Sequence, residues 1–352
     1  MFRAFPVDLG GVPLAHPFTL AALSGYSDLG LRVVCRELGA SLTRNEVVLD
    51  TFVLEAGRNA ARAGLCLSDA DHPVAVQLMG SQPGPMAAAA AKMADYGYDI
   101  VDINFGCPVK KVLGRCRGGF LLGDPATALE MVKQVRAAVQ VPVTVKMRLG
   151  TDDTPAAEDA FWTILDGAVA LGIAGVAIHG RTVKQRYEGS ARWERLTKVK
   201  QKYPALPVFG SGDLFVAEDC LRMLAETGIE GVTIARGAIA NPWIFRECLA
   251  VFRGEPLPPL PTLAEQGALL DRQYDLAIHQ YGPEKASRQM RKFALKRAPL
   301  HPQAADVHRA FATLSTPAEW QAARRLFYSS DERPARRADV WAGAWTCIEA
   351  CA

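Results

Sequence analysis

The chain has 352 residues, of which 49% are hydrophobic and 22% charged, and its formal net charge is +3. This is an ordinary globular balance with ample apolar material for a core. No apolar run reaches the length of about 20 residues that a membrane helix needs, and the start resembles no signal peptide, so we expect a cytoplasmic protein. The eight cysteines form no CxxC pair, which favours reduced thiols and no metal site.

Short β-rich apolar runs alternate with helical stretches over the first 250 residues or so. The runs begin at eight positions: Phe18, Ala40, Val74, Ile100, Val143, Gly175, Pro207 and Gly231. A strand followed by a helix, eight times over, predicts an α/β fold of the (β/α)8 TIM-barrel type, which takes about 250 residues. We therefore assign residues 1–253 to a catalytic barrel.

The chain changes character after the barrel. Residues 254–262 carry four prolines and predict a linker, because proline cannot continue a helix. Residues 263–352 show only helical patterning, which predicts a smaller all-α domain and a tail. Positions 284 to 337 hold 12 lysines and arginines against 5 acidic residues, an excess that suits a polyanionic partner.

Polar side chains cluster at the predicted ends of the barrel strands, where the active-site face of such a barrel lies. They are Gln77, Asn104, Cys107, Lys146, Arg148, His179, Arg181, Ser211, Asp213 and Arg236. Donors predominate, which favours an anionic or carbonyl-rich ligand. The set contains no carboxylate pair for glycosidase chemistry and no His/Asp metal cluster. Glycine-rich turns at 210–213 and 235–242 follow the last two strands, where barrels bind phosphate.

The stretch DINFGCPVKKV, which begins at Asp102, places a thiol directly after a strand. A cysteine with a pKa of about 8.5 is mostly protonated at neutral pH and can serve as a general acid. Pro108 stiffens the turn that carries Cys107. Lys110 and Lys111 follow on the same loop and suit the phosphates of a nucleic acid. The sequence therefore predicts an acid beside a polyanion-binding loop.

Several segments together resemble the tRNA-dihydrouridine synthase family. They are DINFGCPVKKV, VQLMG, VTVKMRLG, HGRTVKQRYEGSARW, GSGDLF and GVTIARGAIANPWIF, and the resemblance extends from Phe18 to about Tyr328. It implies a flavin-dependent barrel with a helical RNA-recognition domain. It also implies FMN as the cofactor, NADPH as its reductant, and reduction of the C5–C6 bond of one uridine in a tRNA.

The resemblance extends to single residues. Cys107 matches the catalytic cysteine of the family, and Gln77, Lys146 and Arg236 match flavin-binding positions. With the strand-end residues, the expected cofactor-binding set is Ala22, Leu23, Ser24, Gln77, Lys146, His179, Ser211, Gly212, Asp213, Ala235 and Arg236. Two segments depart from the family pattern. Residues 21–25 read Ala-Ala-Leu-Ser-Gly where the family has Ala-Pro-Met before a small residue and Gly, and Ser211 replaces the Asn of Asn-Gly-Asp.

The expected substrate-binding set is shared between the barrel mouth and one basic helix. It comprises Asn104, Lys110, Lys111, Arg181, Arg288, Arg291 and Lys292. Asn104 offers the donor and acceptor that match the amide edge of uracil. On the helix, the cations lie within an arc of roughly 140°, with Met290, Phe293 and Ala294 opposite, which favours phosphate contacts.

Three other functions fit parts of the sequence. The main alternative is an FMN-dependent barrel that acts on a free pyrimidine, similar to dihydropyrimidine or dihydroorotate dehydrogenase, which needs no basic helical appendage. A barrel that binds a sugar phosphate without flavin, and an RNA-binding scaffold without turnover, are the others. We expect a monomer whose partner is tRNA, with no membrane and no metal involved.

Overall fold

The computed structural model describes residues 6–55 and 65–334. Eight parallel strands form one sheet. They are β3 (Phe18–Leu20), β4 (Thr43–Leu49), β5 (Val74–Met79), β6 (Ile100–Phe105), β7 (Val143–Arg148), β8 (Gly175–His179), β9 (Val208–Ser211) and β10 (Gly231–Ile234). Their order in the sheet is β3-β10-β9-β8-β7-β6-β5-β4. A parallel bridge between Thr19 and Leu42 joins the two ends of the sheet. The predicted eight-stranded TIM barrel is confirmed.

Helices follow the strands around the outside of the barrel. They are α1 (Leu29–Glu37), α2 (Asp50–Glu55), α3 (Pro83–Tyr96), α4 (Lys110–Leu113), α5 (Pro125–Ala138), α6 (Pro155–Ala170), α7 (Glu194–Lys202), α8 (Ala217–Thr227), α9 (Arg236–Ala240) and α10 (Ile244–Phe252). Local signals fix their ends: Asp124 caps α5 by accepting from the Thr127 N–H, and Gly97 ends α3 in the left-handed conformation at φ 113°.

A short hairpin closes the amino-terminal end of the barrel. Its strands are β1 (Val7–Asp8) and β2 (Pro13–Leu14). The buried side chains Leu9 and Leu14 pack in a cluster with residues of the barrel interior: Leu42, Ala75, Ile100, Ala177 and Phe209. Because apolar side chains fill this end, the polar groups of the strands are concentrated at the carboxyl end.

The strand register places the predicted site residues side by side. Asn104 is paired in register with Lys146, and His179 is paired with Arg148 on one side and Ser211 on the other. Gln77 lies opposite Asp102 on the next strand. The sheet therefore brings polar residues of five neighbouring strands side by side.

Four further α-helices follow the barrel: α11 (Leu263–Tyr281), α12 (Pro283–Arg297), α13 (Ala304–Ala312) and α14 (Pro317–Phe327). Residues 254–262 form no helix or strand, as expected of a linker, and Thr262 begins α11 with a capping box. Trp320 is fully buried and stacks on Tyr274, with 5.0 Å between ring centroids. The division of labour between two domains stays a prediction, and the tail at 335–352 lies outside the described residues.

The helical region contacts the barrel through polar as well as apolar groups. The Leu29 N–H donates to the Gln280 side chain at 3.2 Å, and Arg297 donates to the Ile239 carbonyl of α9 at 3.4 Å. The ammonium of Lys292 lies 3.6 Å from the buried carboxylate of Asp28. None of the helices in residues 6–55 and 65–334 combines the length and apolar character that crossing a bilayer requires.

A buried ion pair fixes α1 against the barrel. The Arg32 guanidinium donates to the Asp71 carboxylate from Nε at 2.9 Å and Nη2 at 2.7 Å, and neither side chain is exposed. Its remaining donors reach the Asn45 side chain at 2.6 Å and the Ser27 and Cys66 carbonyls at 3.0 and 2.6 Å. Loss of the carboxylate would leave a buried charge without compensation.

We expect Asp71→Ala to lower the free energy of unfolding by about 3–5 kcal/mol, the cost of breaking a buried pair at one partner. Urea unfolding followed by circular dichroism measures this loss. Asp69→Ala is the matched control, because Asp69 lies in the same 3-10 turn with its side chain exposed. Equal stability of the two variants would contradict the assigned role of the ion pair.

Candidate active site

A chain of side-chain hydrogen bonds runs beneath the loop that carries Cys107. The buried carboxylate of Asp102 accepts from Gln77 Nε2 at 2.6 Å, and Gln77 Oε1 accepts from Asn104 Nδ2 at 2.6 Å. Asn104 Oδ1 accepts from the backbone N–H groups of Gly106 at 2.9 Å and Cys107 at 3.1 Å. The Gln77 and Asn104 amides therefore each use their NH2 group and their oxygen, and together they connect Asp102 to the backbone of the turn that carries Cys107. Their predicted contacts with flavin and uracil stay predictions.

Cys107 is half-buried on this turn. Gly118 packs against it at φ 58°, and a Cβ added there would lie 2.8 Å from the Cys107 Cβ, so the close approach requires glycine. Burial raises the pKa of the Cys107 thiol, while the Val109 N–H and the nearby Arg148 and Lys146 oppose that rise. The thiol is therefore protonated at neutral pH, which suits a general acid.

Two cations from β7 lie next to the thiol. Desolvation, with the Arg148 charge second, lowers the pKa of Lys146 to about 8. No hydrogen bond or ion pair within the described ranges engages the Lys146 ammonium. Arg148 by contrast ties three segments together, because it donates to the carbonyls of Gly106 at 2.9 Å, Thr182 at 2.9 Å and Arg186 at 2.7 Å.

His179 is held as a neutral imidazole. Burial, followed by the positive charge of Arg148, lowers its pKa well below the ordinary value. Its Nε2 lies 3.3 Å from Nη1 of Arg181, and an arginine can only donate. Nε2 is therefore the acceptor, and the ring proton resides on Nδ1. Nδ1 is then the donor nitrogen, and the cofactor contact of His179 stays a prediction.

The loops after β8 and β9 are joined by an ion pair. Arg181 is almost fully buried, and its Nη2 lies 2.7 Å from both carboxylate oxygens of Asp213. The same carboxylate accepts from the Ala191 N–H at 2.8 Å. The predicted cofactor ligand Asp213 and the predicted substrate ligand Arg181 are thus paired with each other. Their direct contacts with ligands stay predictions.

The predicted phosphate-binding turn lies beside this pair. Ser211 is buried, and its carbonyl accepts from the Gly180 N–H at 3.1 Å. Gly212 has φ 115°, and a Cβ there would lie 2.7 Å from the Ala191 Cβ. Ala235 precedes α9, and the guanidinium of Arg236 at the start of α9 lies 3.9 Å from the Asp213 carboxylate.

Tyr187 is a site residue that the sequence prediction missed. It is half exposed, with the guanidiniums of Arg236 and Arg148 4.6 and 5.4 Å from its ring centroid. The ring centroid of His179 lies 6.2 Å away. Tyr187 could have been recognised as a binding residue from its setting, because it lies in the charged, helix-free stretch KQRYEG, where an aromatic ring has no core to fill.

The loop after β3 is anchored by the helical region. It contains the predicted cofactor contacts Ala22, Leu23 and Ser24, and the Gly25 N–H donates to the Glu46 carboxylate at 2.6 Å. Tyr26 packs edge-on against Phe293 of α12 at 5.7 Å between ring centroids. Asp28 then begins α1 by accepting from the Leu31 N–H at 3.1 Å. This loop therefore lies between the barrel mouth and α12.

The predicted RNA-binding cations fall into two groups. Lys110 and Lys111 are exposed at the start of α4, on the loop that follows Cys107. On α12, Arg288 is exposed and Arg291 is half-buried, whereas Lys292 is turned toward Asp28 and the Tyr26 ring. The structure thus separates Lys292 from the other two, and the RNA contacts of all five stay predictions.

The residues at the barrel mouth fit a flavin. An unpaired Lys146 ammonium can stabilise the negative charge that a reduced flavin ring develops. The neutral His179 offers a donor at Nδ1, and Arg236 beside the Gly212 turn offers a cation for a phosphate. Each of these groups comes from a different strand end, as in barrel enzymes generally.

Comparisons with known proteins agree with this geometry. The family described as dihydrouridine synthase (Dus) matches residues 19–329. A probable tRNA-dihydrouridine synthase of Mycobacterium tuberculosis is 36% identical over 326 residues, which cover 88% of this chain and 81% of that protein. tRNA-dihydrouridine synthase B of Pseudomonas aeruginosa is 36% identical over 287 residues, covering 81% and 85%. These relatives favour tRNA reduction over the free-pyrimidine alternative.

A solved structure shares the fold. The complex of 2-naphthoyl-CoA reductase with 2-naphthoyl-CoA superposes with a TM-score of 0.55 at 11% identity, over 91% of this chain and 68% of the other. At this identity the likeness concerns architecture only. The family match over most of the chain and the curated relatives establish the lineage: the chain belongs to the dihydrouridine synthase family, which comprises flavin-dependent oxidoreductases that act on tRNA.

Proposed function

We propose that this tRNA-dihydrouridine synthase binds FMN across the carboxyl end of its barrel, takes reducing equivalents from NADPH in the cytoplasm, and protonates its target uridine with Cys107. The observation that carries the proposal is the juxtaposition of the half-buried Cys107 thiol with the Lys146 ammonium, which no hydrogen bond from the described part of the chain engages. The expected reaction adds a hydride to C6 and a proton to C5 of uracil. When bound, FMN supplies the hydride.

Cys107 supplies the proton in this proposal. Its thiol transfers the proton to C5, and the resulting thiolate recovers a proton from solvent afterwards. The Val109 N–H and the charges of Arg148 and Lys146 favour the thiolate, so they ease the transfer while burial keeps the resting thiol protonated. Asn104 holds the turn from below through the Cys107 N–H.

The remaining mouth residues bind and orient. We place Arg236 and the Gly212 turn at the FMN phosphate, and Lys146 and His179 at the polar edge of the flavin ring. Tyr187 covers the rim where its ring contacts Arg148 and Arg236. Lys110 and Lys111 lie on the loop that a tRNA must pass to reach the thiol, and they are placed to meet its phosphates.

α12 supplies the second part of the RNA-binding surface. Arg288 is exposed, the half-buried Arg291 donates from Nη1 to the Ala312 carbonyl of α13 at 3.3 Å, and no ion pair within residues 6–55 and 65–334 neutralises either. Lys292 is held beside Asp28 and can reach a phosphate only at the edge of this surface. The helix therefore has one face for RNA and another for the barrel.

The purified protein should show the absorption of an oxidised flavin, and heat should release that flavin as FMN, identified by chromatography.

Arg236→Ala should weaken FMN binding by about 10-fold or more, the usual scale for losing a hydrogen bond to a charged group. Fluorescence titration of the flavin-free protein measures this affinity. Arg222→Ala, on the exposed face of α8, is the control. Failure to recover flavin even after reconstitution would overturn the proposal.

Cys107→Ala should lower the rate of uridine reduction by about 10²-fold, the scale of a positioned acid. Reduction of the bound flavin by NADPH should continue. Cys116→Ala is the matched control, because Cys116 is exposed on the same loop. Single-turnover reduction of tRNA by the pre-reduced enzyme measures the rate, and parental activity of Cys107→Ala would remove the thiol from the mechanism.

The pH dependence gives a further check on the same residue. Because burial raises the pKa of Cys107, its acid form persists above the ordinary cysteine range. The uridine-reduction rate should therefore hold through neutral pH and fall as the pH rises through that pKa. Cys107→Ser should remove the part of this alkaline fall that belongs to the thiol, because its hydroxyl does not titrate there. A fall near pH 8 that persists in Cys107→Ser would belong to Lys146, whose pKa is lowered to about 8.

Arg288→Glu/Arg291→Glu should weaken tRNA binding by about 10-fold or more and flatten its salt dependence by roughly one unit of slope per lost phosphate contact. Lys133→Glu/Arg222→Glu changes the net charge equally on the outer barrel helices α5 and α8 and should have little effect. Binding of labelled tRNA at several salt concentrations measures both quantities. Equal salt slopes in the two double variants would show that the RNA lies elsewhere.

A further inference from the structure

The hydrogen-bond chain beneath Cys107 has a fixed direction. The backbone N–H groups of Gly106 and Cys107 require an oxygen from Asn104, so its NH2 group points to Gln77. Gln77 must then present its own oxygen to Asn104, and its NH2 group points to Asp102. Each amide has one accepting and one donating end, so the orientation of one dictates that of the next.

The last member of the chain must accept without donating. A carboxylate meets this condition, because an ionised Asp has acceptors only. Asp102 also accepts from Thr144 Oγ1 at 2.6 Å, and Arg44 Nε supplies a counter-charge at 3.6 Å. Arg44 in turn donates to Thr19 and Thr233 side chains, at 3.1 and 3.3 Å. The carboxylate is thereby fixed from the opposite wall of the barrel.

We propose that Asp102 is a positioning residue for uridine reduction: it fixes the orientation of the Gln77 amide and, through Asn104, the height and burial of the Cys107 thiol. The inference rests on the proposed role of Cys107 as the acid. It assigns no direct contact between Asp102 and a ligand, since that side chain is fully buried. The consequence is that one carboxylate in the barrel interior controls a thiol two hydrogen-bonded side chains away.

The main variant removes the acceptor together with its counter-charge. Arg44→Met/Asp102→Leu removes both members of this pair, a replacement that proteins often tolerate. Because the Asp102 charge also raises the pKa of the buried Lys146, that pKa should fall further in the variant. The Gln77 NH2 group then has no acceptor, and the turn loses its anchor. Single-turnover uridine reduction should fall by about 10-fold or more, since a misplacement of 1 Å can cost about 10²-fold.

A second readout is independent of catalysis. Site-specific alkylation of Cys107 by iodoacetamide, followed by mass spectrometry across a range of pH, reports the titration of the thiol in the holoenzyme. A loosened turn exposes the thiol, so the midpoint should fall toward the ordinary value of about 8.5 and the rate at fixed pH should rise. If the thiol responds and the parent enzyme shows no uridine reduction, the proposed function fails while the positioning role stands.

Two further variants distinguish an effect of the hydrogen-bond chain from a general loss of protein stability. Thr144→Val removes a different hydrogen bond to the same carboxylate, so it should lower the melting temperature without moving the alkylation profile. Gln77→Glu/Asp102→Asn exchanges the charge between the two positions. The amide introduced at position 102 would then donate to the new carboxylate, which also accepts from Asn104, so the exchange should restore the alkylation midpoint of the parent.

Asp102→Asn alone keeps one oxygen for the Gln77 NH2 group but removes the negative charge and the second accepting oxygen. It should therefore give a midpoint between those of the parent and the Leu variant. It carries the test if the Leu variant does not fold. The proposal is overturned by a parental alkylation profile in both Asp102 variants. It is equally overturned if Thr144→Val shifts the midpoint as far as they do, or if the charge exchange fails to restore it.

Discussion

The parallel register of the closed barrel is the constraint on which the site depends. Closure through the Thr19–Leu42 bridge forces all eight strands to end on one rim, whatever their loops contain. Asn104 then faces Lys146, and Arg148 faces His179, although 42 and 31 positions of sequence separate the partners. The thiol of Cys107, the ammonium of Lys146 and the neutral imidazole of His179 thus become neighbours in space although they lie far apart in the sequence.

Placing so many donors on one rim has an electrostatic cost that the structure limits in two ways. Arg148 and Arg181 donate hydrogen bonds to loop carbonyls, and Arg181 also donates to the Asp213 carboxylate. Lys146 and His179 instead lose proton affinity, since burial and the neighbouring cations lower the pKa of both. The rim thereby stays receptive to negative charge that develops on a ligand, because such charge meets preorganised donors in a poorly solvated cavity.

Much of this could be predicted from the sequence, and the failures have a common cause. The strands were predictable because each is a β-rich apolar run that ends in a polar residue, and their ends gave Gln77, Cys107 and Lys146 directly. The pairing of side chains from different loops was not predictable, since the sequence does not show which loops lie next to each other. Arg181 and Asp213 were predicted separately as ligand contacts, yet they lie 2.7 Å apart. Tyr187 was missed because its significance comes from two guanidiniums on other elements, Arg148 of β7 and Arg236 of α9.

The basic helix α12 illustrates the same limit and connects the two halves of the chain. Helical periodicity grouped Lys292 with Arg288 and Arg291, because an arc on a helical wheel does not show which neighbour covers it. In the structure, Lys292 faces Asp28 while Phe293 packs on Tyr26, so α12 is fixed to the loop that precedes α1. That loop also carries the backbone expected to meet the flavin. A tRNA bound at Arg288 and Arg291 would therefore be connected to the barrel mouth through one helix and one loop. This short, packed connection sets where the target base can lie relative to Cys107.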